Sequence, residues 1–406
     1  MSPSIKRIAA CLALIAAIGA VARPVLSIDL SPDKIAIEKA VRAMCDKQLV
    51  VMGEAYHGDG RTDAVRVALV TRLTDQCGFR AVLFESSAYE FAPVARAARA
   101  GQSVTPAMIA TAVGGLWKFD DEVKPLFVFL ADRINAGTMS VAGLDYQVAT
   151  FEQPYTNETM AVELAEALPQ GEAGRCRSLI GARTGYAYSD DEQPGPIAKQ
   201  LNQLLLNCVE AATAALEDQP SIAPALRDER RHMLRNLAGV LSADRLPVSA
   251  RLAARDGAMA DNVSAFMARQ PQRTKVIIWT HNVHAARDPL WRSEFQASPN
   301  LGARIARTFG SSAFMLGITA RTGEYRWSRK TNKPVPTPPP GALETLNVSR
   351  GAVQSTFLDT KALQRAGEVP GALDNHVYRT VNWSRAFDGV IVLNSENAPH
   401  STRPGY

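Results

Sequence analysis

Four apolar runs of strand length, each closed by polar side chains, set the rhythm of this chain. The first, Leu49 to Met52, has two β-branched members and is broken by Gly53; it reads as a short buried strand. Ala81 to Phe84, Ser140 to Leu144 and Lys275 to Thr280 are the other three. Between the first two, Asp63 to Gln76 places Ala64, Val67, Ala68, Val70 and Leu73 at helical spacing before Gly78 stops it. Strand, helix and strand within roughly 35 residues predict a βαβ unit, with parallel strands and a right-handed crossover. Helices are also expected over Ala36 to Cys45, Ala107 to Ala112 and Glu122 to Ala136, and further strands over Ala313 to Thr319 and Gly389 to Leu393.

From about Glu152 to Met267 the pattern turns helical and polar, interrupted by a turn-rich break around Asp190 to Pro196. This stretch, about 152–268, is expected to be a helical insertion forming a cap over one sheet edge. Five prolines within 334–340 predict an exposed, extended loop. The expected fold class is therefore α/β: a central, mostly parallel sheet flanked by helices, with a long helical insertion.

Composition narrows the setting. The chain has 406 residues, 46% of them hydrophobic, enough for one large domain with insertions or for two domains. A net charge of +5, with Lys and Arg scattered, gives no nucleic-acid signature. Lys6 and Arg7 precede the apolar run Ile8 to Val21, and Ala20-Val21-Ala22 has the small-x-small form of a cleavage site. Residues 1–22 thus read as a signal peptide, and 23–406 as the folded domain. The run is short for a membrane span, so the expectation is an exported protein, periplasmic or secreted, with no stable membrane insertion after cleavage. Cys45, Cys77, Cys176 and Cys208 remain, an even count without metal-ligand spacing. Two disulfides are expected, pairing Cys45 with Cys77 and Cys176 with Cys208, each local in sequence; four buried free thiols are the alternative.

The candidate chemistry lies where the strands end. Glu54 and His57 follow the first, Glu85 the second, Asp145 the third, and His281 and His284 the fourth. Parallel strands bring such ends to one edge, where α/β sheets bind ligands. A neutral imidazole suits a general base near neutral pH, so His57 is the candidate to activate water, with Glu54 or Glu85 fixing its tautomer. No Gly-x-Ser-x-Gly elbow is present, which favours activated water over an acyl-enzyme. His281 and His284 could polarise a carbonyl; alternatively, His57, Glu85 and His281 could hold a divalent metal. Arg66, with Arg61, could meet an anionic group, and Tyr56 and Trp117 could line a substrate pocket. Arg255-Asp256 reads as a helix-anchoring ion pair, and His232, His376 and His400 as surface residues.

With these residues in view, the chain resembles the erythromycin esterase family, which includes succinoglycan biosynthesis-like hydrolases. The likeness runs through Gly53-Glu54-Ala55-Tyr56-His57-Gly58, Gly78-Phe79 to Phe84-Glu85, Trp117 to Asn135 and Gly143-Leu144-Asp145-Tyr146-Gln147. It continues in Arg255-Asp256 to Asn262, Trp279-Thr280-His281-Asn282-Val283-His284 and Phe387-Asp388. The resemblance implies an α/β fold and ester hydrolysis by activated water. It puts the base at His57, with supporting roles for Glu54, Arg66, Glu85, His281 and His284. In well-known members the ester is a macrolide lactone and no metal is needed, so no cofactor is expected. The signal peptide, the disulfides and Tyr56 beside the base depart from those members, which act inside the cell. The expected partner is a small-molecule ester or lactone; a metal-dependent hydrolase and a non-catalytic envelope binding or biosynthesis protein are the competing readings.

Overall fold

Seven of the eleven strands among the described residues build one sheet, and the apolar runs of its inner strands are buried on both faces, as parallel strands require. The computed structural model describes residues 29–148, 153–185, 196–219, 221–289, 291–296, 298–328, 331–346 and 354–401. The expected signal peptide lies outside them, as does most of the break expected at 190–196. In chain order the strands are β1 (Leu49–Met52), β2 (Phe79–Ser87), β3 (Ser140–Asp145), β4 (Lys275–Trp279), β5 (Ala313–Ala320), β6 (Glu324–Ser328), β7 (Thr331–Pro334), β8 (Thr356–Asp359), β9 (Glu368–Asp374), β10 (Val377–Asn382) and β11 (Gly389–Leu393). The large sheet has the order β3-β2-β4-β1-β5-β11-β8, all parallel except β8. Hairpins β6–β7 and β9–β10 stand apart from it.

The helices are α1 (Lys34–Met44), α2 (Gly60–Cys77), α3 (Ala92–Arg99), α4 (Pro106–Val113), α5 (Lys124–Asn135), α6 (Met160–Ala165), α7 (Gln170–Thr184), α8 (Pro196–Glu217), α9 (Pro224–Ala243), α10 (Val248–Ala268), α11 (Asn282–Ala285), α12 (Leu301–Phe309) and α13 (Thr360–Ala366). One face of the sheet packs on α1, α2, α4 and α5 through residues such as Ile37, Leu69, Ile109 and Leu130. The other packs on α10, α12 and α13 through Val263, Ile305 and Leu363. Gly78 caps α2 at φ +74°, a left-handed conformation that side chains resist, and α2 stops there.

The expected insertion divides in two. Helices α6 to α9 form a lobe with its own core, including Leu164, Leu205, Met233 and Leu237, which also buries Tyr89 and Tyr146. Helix α10 instead belongs to the layer covering the sheet, because its Met259, Val263 and Phe266 face the strands. The expected disulfides both form, Cys45–Cys77 and Cys176–Cys208. Strand β2 runs past the apolar stretch through Glu85 to Ser87: a register shift between Phe84 and Ser87 lets it keep pairing with β3 although its last residues are polar. No helix among the described residues is long and apolar enough to cross a membrane.

Candidate active site

The loop from β1 to α2 carries Glu54 and His57 over the C-terminal edge of the central strand. Its backbone is tied from three sides. Asn282 N–H donates to Glu54 O at 2.8 Å, and Asn375 N–H donates to Ala55 O at 2.9 Å. Arg326 N–H donates to Gly58 O at 2.9 Å. Gly53 is needed where the loop leaves the strand, since a Cβ there would lie 2.1 Å from Asn282 Oδ1.

Glu54 is wholly buried, and each of its oxygens has a distinct partner. Oε1 lies 2.6 Å from His57 Nδ1. Oε2 accepts from Arg66 Nη2 at 2.5 Å and from Trp117 Nε1 at 3.4 Å. Arg66 is itself fully buried, 3.7 Å over the Trp279 ring, and also donates to Asp63 Oδ1 at 2.9 Å and Thr280 O at 3.0 Å. One guanidinium thus faces two buried carboxyls. Burial pushes Glu54 up to about 8 against the pull of Arg66, and pushes Asp63 well above the usual carboxylate range. Burial also pushes His57 down to about 4, so its imidazole is neutral at neutral pH. The His57 side chain still keeps 32% exposure, and Nε2 has no hydrogen-bond partner among the described residues.

A second cluster lies beside it. Glu85 Oε1 meets Arg255 Nη2 at 2.9 Å and His284 Nε2 at 3.3 Å. Its Oε2 accepts from Thr280 Oγ1 at 2.6 Å and His281 N–H at 2.9 Å. Burial opposes the charge on Glu85, but His284 and Arg255 outweigh it and hold the carboxyl well below its usual range. Arg255 also grips Asp145 at 2.7 Å. His284 Nδ1 donates to Asp256 at 2.8 Å; burial opposes its charge, yet Asp256 and Glu85 raise it to about 10, an imidazolium. His281 is the opposite case. Its Nε2–H donates to Ala55 O at 2.7 Å and its Nδ1 accepts from Val283 N–H at 3.1 Å, and burial pushes it down to about 3.

The edge therefore gathers Glu54, His57, Arg66, Glu85, Asp145, His281 and His284, together with Trp117, whose buried ring meets His57 edge-on at 5.5 Å. Tyr56 stacks on Trp327 at 5.5 Å and donates through its hydroxyl to Trp327 O, forming a wall with hairpin β6–β7. Arg61 is elsewhere, bound to Asp33. Arg255 and Asp256 do not pair as a helix anchor: they face different partners, Asp145 with Glu85 and His284, because successive helix residues point apart. His376, expected at the surface, is buried and its Nε2–H donates to Asp59 at 2.8 Å. Asp63, Thr280 and Asn282 escape a reading of the sequence; only Asp63, three residues before Arg66, leaves a spacing signal.

The metal alternative finds its donors occupied. Both oxygens of Glu85 and both nitrogens of His281 are engaged, which leaves only His57 Nε2 of the three. Those residues as arranged do not fit a metal.

A family profile described as erythromycin esterase matches residues 74–395. YbfO of Bacillus subtilis (strain 168), whose given name proposes a hydrolase, is 26% identical over 342 residues, covering 78% of this chain and 75% of its own. Among solved structures, a Bacillus cereus protein aligns at TM-score 0.69 and 15% identity, covering 92% and 95% of the two chains. A succinoglycan biosynthesis protein aligns at TM-score 0.67 and 14% identity, covering 90% and 92%. A mutant erythromycin esterase in its open conformation aligns at TM-score 0.63 and 16% identity, covering 91% and 97%. At these identities the structures speak for the fold.

Proposed function

Since the chain belongs to the erythromycin esterase family, a family of hydrolases, we propose that it hydrolyses a carboxylic ester or lactone with water activated by His57. The observation that carries this reading is the His57–Glu54 contact at 2.6 Å, with Nε2 of the same ring left open among the described residues. With Glu54 ionised, its Oε1 accepts the Nδ1–H of His57 and the lone pair sits on Nε2, as a general base requires. Nε2 takes a proton from water as the water oxygen adds to the ester carbonyl. The tetrahedral intermediate collapses, the C–O bond to the alcohol breaks, and the imidazolium returns its proton to the leaving oxygen. Glu54 and Arg66 orient the base; Arg255 and His284 lie beside it, their charges matched by Glu85, Asp145 and Asp256. His281 acts through the backbone, clamping Ala55 next to the base. Tyr56, partly exposed, borders the substrate, whereas Trp117 is wholly buried and backs His57 instead of lining the pocket as expected.

The two disulfides support an exported enzyme, periplasmic or secreted. The test is a panel of aryl esters, lactones and acylated sugars offered to purified protein and to His57→Ala. A wild-type rate lost by at least about 10³-fold in the variant supports the reading; a variant that retains the wild-type rate sinks it.

A further inference from the structure

The tip of hairpin β9–β10 carries an unusual residue. Asn375 and His376 both take positive φ, +53° and +54°, the left-handed pair of a tight hairpin turn. Asparagine accepts that conformation readily, but the second position is normally glycine, and a side chain there is strained. His376 nevertheless stays, with its ring wholly buried and tilted against Tyr325 at 4.4 Å. Strain of this kind persists where surrounding contacts over-determine it. Here those contacts lead to the base. His376 Nε2–H donates to Asp59 Oδ1 at 2.8 Å, and Asp59 Oδ2 accepts from Tyr56 N–H at 2.9 Å. Asn375, the adjacent turn residue, donates to Ala55 O. The same turn thus grips the loop on both sides of His57. The other ring nitrogen of His376, Nδ1, is buried with no partner among the described residues, so Asp59 is the contact that fixes the ring.

We infer that His376 is a positioning residue for the general base: through Asp59 and the Tyr56 amide it holds the residue-54 to residue-59 loop in the arrangement that aims His57 at its water. This rests on the ester-hydrolase reading above. His376 touches no reacting atom, and its effect falls on turnover rather than on substrate affinity. A displacement of about 1 Å at a base can cost on the order of 10²-fold in rate.

The experiment compares His376→Leu, which removes the donor, with His376→Gln, whose amide N–H can reach the Nε2 position, and with Asp59→Asn, which breaks the link from the other end. The expected result is a loss of kcat of about 10- to 100-fold in His376→Leu and Asp59→Asn, the scale set by a small misplacement of the base. KM should change by less than about threefold, and His376→Gln should return most of the loss. Folded His376→Leu with wild-type kcat overturns the inference, as does an equal loss in the Leu and Gln variants. If wild-type protein turns over no ester, the hydrolase reading fails separately, and amide exchange decides the tether. Faster exchange of the Tyr56 N–H in His376→Leu but not in His376→Gln supports it; unchanged exchange overturns it.

Discussion

Glu54 should govern the pH dependence of the reaction, and the structure says in which direction. Its Oε2 is taken by two donors, Arg66 and Trp117, so a proton on the carboxyl sits on Oε1, along the 2.6 Å line to His57 Nδ1. In that state the acid donates to Nδ1, the ring proton stays on Nε2, and His57 has no lone pair for water. Losing one proton reverses the arrangement: the carboxylate accepts Nδ1–H and Nε2 becomes the base. The ionisation lies near pH 8, so about 1% of the free enzyme is competent at pH 6 and about 90% at pH 9. On a substrate that does not itself ionise, kcat/KM should rise roughly tenfold per pH unit from 6 to about 7.5 and level off above 9. In Glu54→Gln the amide cannot change charge, so that limb should vanish while the protein stays folded. A wild-type profile flat between pH 6 and 9, or a limb that survives in Glu54→Gln, refutes the tautomer argument.

Arg66→Met leaves Glu54 and Asp63 buried without their shared cation; at pH 9, where Glu54 is ionised, urea denaturation should show a loss of about 3–5 kcal/mol, and a loss below about 1 kcal/mol would contradict the pairing. Each disulfide closes a loop with a sequence separation of 32, so replacing either pair by serines should cost about 4 kcal/mol in the same assay. His284 is raised from 6.5 to about 10, so its contribution to stability is complete below pH 6.5 and is lost as pH climbs through 10. The wild-type Tm should accordingly fall further than that of His284→Gln over this window, and parallel curves would remove the imidazolium from the account. Prolonged treatment with excess EDTA should leave ester turnover intact; a loss restored by zinc would revive the metal alternative.

The sequence displayed the site better than it displayed the periphery, for a physical reason. Leu49 to Met52 and Val276 to Trp279 are buried on both faces, so their apolar runs are unbroken and the residues ending them stand out. Cys45–Cys77 and Cys176–Cys208 were legible because each pair is local. The hairpins β6–β7 and β9–β10 were not, since Glu324 to Ser328 and Val377 to Asn382 are partly exposed and lack such a run. His376 was hidden for a related reason: its partner Asp59 lies 317 residues away, and only the fold brings them together. Arg255 and Asp256 are adjacent in sequence, which suggests a pair, whereas the helix turns them toward different strands.

The place of β1 in the sheet also bears on how the chain reaches its native state. The strand that leads into Glu54 and His57 is first in sequence, yet its neighbours pair through Leu49 with Val276 on one side and Ala313 on the other. More than half of the polypeptide must therefore be synthesised before this strand has either of its partners, an arrangement that slows folding and prolongs exposure of an apolar edge. The Cys45–Cys77 bridge needs only the first part of the chain. It can tether the segment on either side of β1 while that strand waits, which limits the ways the unpaired edge that leads into Glu54 and His57 can mispair.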